Sequence, residues 1–414
     1  MSGFLTRGHD VAAASVRAMI AGATPQAIVI AGPPGVGKTT LAADLAAALL
    51  CGAPDPADRP CRACRGCGLV ERGTHADLHR LAPGGAGNQI RIGDRGNPEP
   101  GTIRRLVSDL ALLPVEGGAR VAIVERADRM NEDAQSALLK TLEEPPPGLT
   151  IVLCADREDQ LLPTVRSRCV RLRLGPVAIR EIEAILADQG VADPPTAARL
   201  ARLSAGRPGI ARAWALAPDA LVARAEIGRS LLDLADAGPA RRLAVGRELL
   251  TRAADVARAL ERADRPGETG PAASGRGRRV GRIGTKTAAA APIAAGPPPS
   301  VGATEPVEPD ADDSAAGRDV RAPAAERRRA AATFVEIWRD LVRDLALIVH
   351  GEARRLRDPG LIDDLRLFGD LGAADLGRFL VRLDRTSELI EANVSPELAI
   401  DVLLLAWPRR IRAA

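Results

Sequence analysis

Gly32-Pro33-Pro34-Gly35-Val36-Gly37-Lys38-Thr39, with Thr40 behind it, decides the fold. It directly follows the apolar run Ala27-Ile28-Val29-Ile30 and opens a segment whose Leu41, Leu45 and Leu49 share one helical face. Strand, glycine-rich turn and helix in that order complete the G-x-x-x-x-G-K-[ST] pattern of a phosphate-binding loop. Glycines let the backbone curl its N–H groups around phosphate oxygens, and the helix N-terminus adds its positive end. Lys38 supplies a compact charge for the β- and γ-phosphates. A Gly-Pro turn with a chance lysine is the alternative, and it leaves the flanking strand and helix unaccounted for.

Composition gives that lysine weight. Of 57 basic residues only Lys38, Lys140 and Lys286 are lysine, so 54 are arginine. A planar guanidinium needs more room than a point ammonium, which explains a lysine inside the loop of an arginine-rich chain. Against 53 acidic residues the net charge is only +4, so no dominant basic surface for nucleic acid is written into the balance. Aromatic residues make up 2% and tyrosine is absent. That excludes a stacking groove for single strands or RNA loops. At ~100–200 residues per domain the length implies two to four domains. No run approaches the ~18 apolar residues of a membrane helix, and Met1 to Val11 lack a secretory pattern. A cytoplasmic protein without a membrane partner is expected.

Residues 1–175 alternate apolar runs with helical patterns, Val121-Ala122-Ile123-Val124 and Thr150-Ile151-Val152-Leu153 being two further runs. This rhythm predicts an α/β domain with a mostly parallel sheet. From 176 the pattern turns all-helical. Ile179, Ile182, Ile185 and Leu186 form one apolar face, and Leu200 and Leu203 begin another, so a small helical domain is expected over 176–218. Residues 264–327 hold no aromatic side chain and are rich in Pro, Gly and Ala. They read as a disordered insert, basic in its first half and acidic in its second. Arg276, Arg278, Arg279 and Arg282 there read as solvated sequence before any DNA contact. Phe334, Ile337, Trp338, Leu341, Leu345 and Ile348 then mark a strong amphipathic helix. Residues 219–263 and 328–414 are expected to form one helical domain around the insert.

Cys51, Cys61, Cys64 and Cys67 fall within seventeen residues, in a Gly/Pro/Arg-rich excursion. Four soft thiolates at this spacing select Zn²⁺, here as a structural staple over 51–67 with no open position. An iron–sulfur cluster is the alternative, and His75 and His79 are outside candidates for extra ligands.

A P-loop protein that hydrolyses nucleotide normally ends a second strand with two carboxylates. Here Val124 is followed by Glu125 and then Arg126, which cannot act as a base. ATP binding is therefore better supported than hydrolysis, and Glu125 reads either as a degenerate acidic motif or as an ordinary surface carboxylate.

The order of these elements, followed by His75-Ala76-Asp77-Leu78-His79, Glu125-Arg126-Ala127-Asp128, Leu138-Leu139-Lys140-Thr141-Leu142-Glu143-Glu144-Pro145-Pro146 and Arg166-Ser167-Arg168-Cys169, resembles subunits of the bacterial DNA polymerase III clamp loader. The resemblance covers most of the chain apart from the insert. It implies a AAA+ P-loop domain over 1–175 with the zinc module inserted, a lid over 176–218, and a C-terminal collar for oligomerisation. It further implies a five-subunit ring with delta and gamma/tau subunits that loads the sliding clamp on primed DNA, touching DNA through backbone contacts. In that family the Ser-Arg-Cys motif carries an arginine finger, and Arg168 is the matching residue, acting in trans on a neighbour's ATP. The His-Ala-Asp-Leu-His stretch, the opening of the chain, Glu125-Arg126 and the stretch from Glu391 to Pro396 resemble the delta-prime type. Its members belong to a nucleotidyltransferase complex, and this chain by itself would be at most a weak ATPase that binds ATP or ADP with Mg²⁺. The intact P-loop keeps a gamma/tau-type motor as the second reading, and a zinc-stapled scaffold unrelated to replication as the third. Cys154-Ala155-Asp156 and Gly209 fall at the family's two sensor positions without matching them.

Overall fold

The three apolar runs become strands with every residue buried: β1 (Ala27–Ala31), β3 (Arg120–Val124) and β4 (Leu149–Ala155). In the computed structural model, which describes residues 3–84, 88–116, 118–264, 323–392 and 394–410, two more strands join them, β2 (Leu78–Leu81) and β5 (Val170–Arg173). All neighbours are parallel and the order is β2-β3-β4-β1-β5. The flanking strands carry polar residues because each lies at a sheet edge, which is why Val170-Arg171-Leu172-Arg173 buries only Leu172.

A parallel sheet must be covered on both faces, and alternation along each strand divides the two cores. Ile28, Ile30, Val152 and Cys154 pack with Leu41 and Leu45 of the helix Lys38–Leu49. Val29, Ile151 and Leu153 pack instead with Ile103, Leu106 and Leu110 of the helix Ile103–Leu110 and with Leu138 and Leu142 of the helix Glu132–Glu143. From β1 the chain crosses to the far edge, returns through β3 and β4, and then places β5 on the other side of β1. The carboxyl end of β1 thus lies where the strand order reverses, the usual place for a ligand crevice in an open parallel sheet.

Beyond β5 the structure is helical, as the periodicity predicts. Proline opens several of the helices, among them Pro194–Leu203, Pro208–Leu216, Pro218–Asp233 and Pro396–Ala406, in the first turn, where a missing N–H costs nothing. Ile182 and Leu186 are buried in the helix Ile179–Asp188, as are Leu200 and Leu203 in the next one. The helix Ala324–Val349 buries Phe334, Ile337, Trp338, Leu341 and Leu345. Trp338 lies 5.1 Å from Phe379 and 5.4 Å from Trp407, centroid to centroid, so this scarce residue class is concentrated in one core. Residues 265–322, nearly all of the expected insert, lie outside the described residues; Asp264 closes the helix Pro239–Asp264 before them.

One buried arginine closes the C-terminal helices. The Arg242 guanidinium, 1% exposed, donates to the carbonyls of Leu234, Ala235, Ala237, Leu404 and Trp407 at 2.6–3.3 Å. It thereby ties the start of one helix to the end of the last. Arg242→Met is expected to lower stability by at least about 3 kcal/mol, because it orphans buried carbonyls, whereas exposed Arg241→Met shifts it by less than about 0.5 kcal/mol. Urea denaturation followed by tryptophan fluorescence separates the two.

Candidate functional site

The glycine-rich loop leaves β1 at Ala31 and runs into the helix Lys38–Leu49. Gly35 (φ +76°) and Gly37 (φ +110°) both adopt left-handed conformations that a side chain resists. A Cβ at Gly35 would also stand 2.8 Å from Ile210, at the start of the helix Pro208–Leu216. That helix begins on the loop itself, with the Gly209 N–H donating to the Gly35 carbonyl at 2.9 Å. On the other side the His9 ring donates to the Val36 carbonyl at 2.9 Å. Pro33, Pro34 and Thr40 are exposed, Gly32 and Thr39 half-buried, and Val36 buried.

Lys38 is buried and its ammonium is fully engaged. It donates to the carbonyls of Gly32 and Pro33 at 2.7 and 2.8 Å and pairs with Asp156 Oδ1 at 2.6 Å. Asp156 follows the last residue of β4, and the register of Ala31 opposite Ala155 sets it level with the loop. Its backbone N–H donates to Asp128 Oδ1 at 2.8 Å, and its Oδ2 lies 3.6 Å from Arg126 Nε. Glu125 is turned to Arg80 at the end of β2, at 2.5 and 3.1 Å. Arg126 stands at φ +50° where a second carboxylate would be needed for hydrolysis. An open cleft of about 440 Å³ beside the loop is lined by Gly32, Asp156, Glu158, Arg166 and Arg173 among others. That is within the range of small-molecule sites.

The four clustered cysteines converge. All four sulfur atoms lie within 4.8 Å of one another, and Cys51 and Cys64 are 3.9 Å apart. Around one tetrahedral ion with bonds of ~2.3 Å the sulfurs would sit ~3.8 Å apart, so the cage fits a single soft metal ion. Backbone N–H groups point at the sulfurs: Gly52 and Cys67 donate to Cys64, and Ala53 and Cys61 to Cys51. Burial pushes the Cys64 thiol up, but the Cys67 and Gly52 N–H groups outweigh it and bring it down to about 6. Burial pushes Cys67 up to about 12. His75 and His79 take no part in this cluster. His75 Nδ1 accepts from the Asp77 N–H at 3.1 Å, and burial in the sheet pushes His79 down.

Asp44, with no exposure, connects the cage to the loop. It lies in the helix Lys38–Leu49 and accepts from the N–H groups of Leu5 and Thr6, from the Thr6 hydroxyl and from Arg62, which stands between two of the cysteines.

Arg168 is not brought to this chain's own loop. Its guanidinium donates to the Thr164 carbonyl at 2.9 Å and pairs with Glu143 Oε1 at 2.6 Å, remaining 37% exposed. Two separate motifs of the sequence, Leu-Glu-Glu-Pro-Pro and Ser-Arg-Cys, therefore meet in one ion pair. Arg166, two residues earlier, lines the cleft instead. The partnership of Asp156 with Lys38 and the role of Asp44 escape the sequence reading. Asp156 carries a positional signal, since it directly follows the strand beside β1, whereas Asp44 shows only as a charge among the Ala and Leu residues of its helix.

A family model described as DNA polymerase III, delta subunit, matches residues 10–178. The DNA polymerase III subunit delta' of Pseudomonas aeruginosa is 39% identical over 145 residues, covering 35% of this chain and 42% of that protein. The Escherichia coli subunit delta' is 34% identical over 193 residues, 47% of this chain and 55% of that protein. The Escherichia coli subunit tau is 30% identical over 178 residues, 42% of this chain and 26% of that protein. The chain spans about half the length of the delta' relatives it matches, and the similarity the motifs suggest holds over the α/β half.

Asp128 offers a test of the electrostatics. Burial raises its pKa, with repulsion from Asp156 adding to the effect against the Asp156 N–H. A carboxyl whose folded-state pKa is raised costs stability above that pKa and stops doing so as pH falls through it. Asp128→Asn keeps the acceptor oxygen and removes the charge. It is expected to stabilise the protein at pH 7, the gain shrinking as pH drops into the carboxylate range, as read from thermal midpoints across pH.

Proposed function

We propose that the chain is a delta-prime-type subunit of the bacterial DNA polymerase III clamp loader, working in the cytoplasm. The observation that carries this reading is a built phosphate loop without hydrolytic carboxylates beside an exposed, braced Arg168. The loop residues Gly32 to Thr40 hold ATP or ADP with Mg²⁺. Lys38 takes the phosphates, the loop N–H groups surround them, and Thr39 stands at the start of the helix where a P-loop hydroxyl meets the magnesium. Glu125 and Arg126 do not form an acidic pair, so turnover by this chain is slow. Glu143 and the Thr164 carbonyl keep the Arg168 guanidinium extended at the surface. A planar fork so placed can reach γ-phosphate oxygens across a subunit boundary and stabilise charge developing in a neighbour's transition state.

The similarity to delta' and tau subunits supports membership of the same assembly, with delta and gamma/tau as neighbours, the sliding clamp as the load and primed DNA contacted through its backbone. Residues 219–263 and 328–414 would form the collar. Their last helix leaves Leu398, Val402 and Leu405 more than half exposed at i, i+4 and i+7, an apolar stripe suited to a ring neighbour. Zn²⁺ in the four-cysteine cage would be structural, closed by four protein ligands and far from any step of the chemistry.

A gamma/tau-type motor is the second reading, and the complete P-loop favours it. ATPase assays decide between them. The purified chain should turn over ATP slowly and without DNA stimulation; vigorous, DNA-stimulated turnover abolished by Lys38→Ala establishes the motor instead. Reconstituted with gamma/tau partners, Arg168→Ala should lower the assembly's turnover by about 10³-fold, the scale of a lost arginine finger. Failure to co-purify with any clamp-loader partner would count for an unrelated scaffold. For the metal, one zinc per chain is expected by elemental analysis, lost in Cys64→Ser together with cooperative unfolding of the α/β half.

A further inference from the structure

Lys38 holds a carboxylate of its own chain. Asp156 Oδ1 lies 2.6 Å from its ammonium, with the two side chains 17% and 7% exposed. The contact is fixed from behind. β4 sets the backbone, Asp128 accepts the Asp156 N–H at 2.8 Å, and Arg126 faces the second oxygen at 3.6 Å. The two residues that brace Asp156 stand in the segment after β3, where hydrolytic carboxylates would stand in a motor. Formal charges on the wall of the adjacent cleft cancel: Arg157, Arg166 and Arg173 against Asp156, Glu158 and Asp159. Lys38 adds one positive charge to that balance, and Asp156 is the carboxylate it pairs with directly.

We infer that Asp156 sets the nucleotide preference of this loop toward the diphosphate. The inference rests on the nucleotide reading above and deepens it. A phosphate tail competes with Asp156 for Lys38, and every added charge on the tail is repelled by a carboxylate that β4 and Asp128 hold in place. ADP brings one charge fewer than ATP with the same metal. At ~5 Å in a half-wet cleft, one such repulsion changes a binding constant by about tenfold. The site therefore retains ADP, and the subunit stays in one nucleotide state while its neighbours cycle.

The full chain is titrated with ADP and with a non-hydrolysable ATP analogue, each with Mg²⁺, in an isothermal calorimeter. Unaltered protein, Asp156→Asn, Asp156→Ser and Lys38→Ala are compared. Unaltered protein is expected to bind ADP about tenfold more tightly than the triphosphate, and both Asp156 variants to gain about tenfold for the triphosphate and less than about threefold for ADP. The serine variant covers the case in which the asparagine variant misfolds, and circular dichroism identifies which one is folded. An unchanged ADP-to-triphosphate ratio in a folded Asp156 variant overturns the inference and leaves nucleotide binding intact. A triphosphate preference in the unaltered protein, or loss of both ligands in folded Asp156 variants, also overturns it. Absence of any binding in the unaltered protein, indistinguishable from Lys38→Ala, overturns the nucleotide reading itself.

Discussion

A single carboxylate without solvent exposure, Asp44, holds the parts of the α/β half in relation to one another. It sits inside the helix that begins at Lys38, and it takes four donors from two other segments: Leu5 and Thr6 near the start of the chain, and Arg62 within the cysteine cage. Removing a charge of that kind from water is costly unless every lone pair is used, and here backbone N–H groups, a hydroxyl and a guanidinium use them. Arg62 in turn donates to the Gly3 carbonyl at 2.7 Å, closing a ring of contacts. The cysteine cage, which has only short helical turns of its own, is thereby fixed to the helix that ends the phosphate loop. A metal ion in the cage would stiffen the far end of the same helix whose first residue carries the ammonium.

The arginine excess becomes intelligible once its partners are known. Buried arginines in this protein work as multi-pronged donors. Arg120 serves the carbonyls of Asp109, Leu112 and Leu113 and the carboxylate of Asp77. Arg224 bridges Asp340 and Asp358, and Arg199 reaches Asp358 from the helix Pro194–Leu203. A planar guanidinium suits such multiple contacts better than an ammonium does. Lysine remains where a point charge is wanted, at Lys38. Among the described residues these arginines are thus matched to acidic or carbonyl partners within the chain.

Much of this was legible in the sequence, for definite reasons. Strands β1, β3 and β4 are continuous apolar runs because each is covered on both faces; β2 and β5 were not singled out because edge strands mix charge with apolar residues. Helices after Ile179 announce themselves by period. The cysteine cage follows from spacing, since C-x₂-C-x₂-C leaves few ways to separate the sulfurs. What spacing cannot give is a pairing between residues distant in the chain. Lys38 and Asp156 are 118 positions apart, and beyond its place just after the strand beside β1 nothing local marks Asp156 as a partner of Lys38. Glu143 and Arg168 likewise belong to motifs that look independent until β5 and its preceding turn bring them together.

The three carboxylates near the loop share a fate that bears on mechanism. To polarise water or hold a metal, a carboxylate needs a free lone pair aimed at the ligand. Glu125 turns Oε1 to Arg80, Asp128 turns Oδ1 to the Asp156 N–H, and Asp156 turns Oδ1 to Lys38. Arg126, by occupying the position after Glu125, supplies positive charge to Asp156 where a motor would have a second base. Each of these contacts is made inside the chain, which agrees with the proposed role of the loop as a holder of phosphate more than a machine for cleaving it. Arg168 shows the opposite arrangement: two acceptors brace it, and its guanidinium remains partly open to whatever lies outside. Under the proposed function, catalytic capacity would lie at the surface, in Arg168, and not at the chain's own loop, an arrangement that suits a protein working beside another nucleotide site.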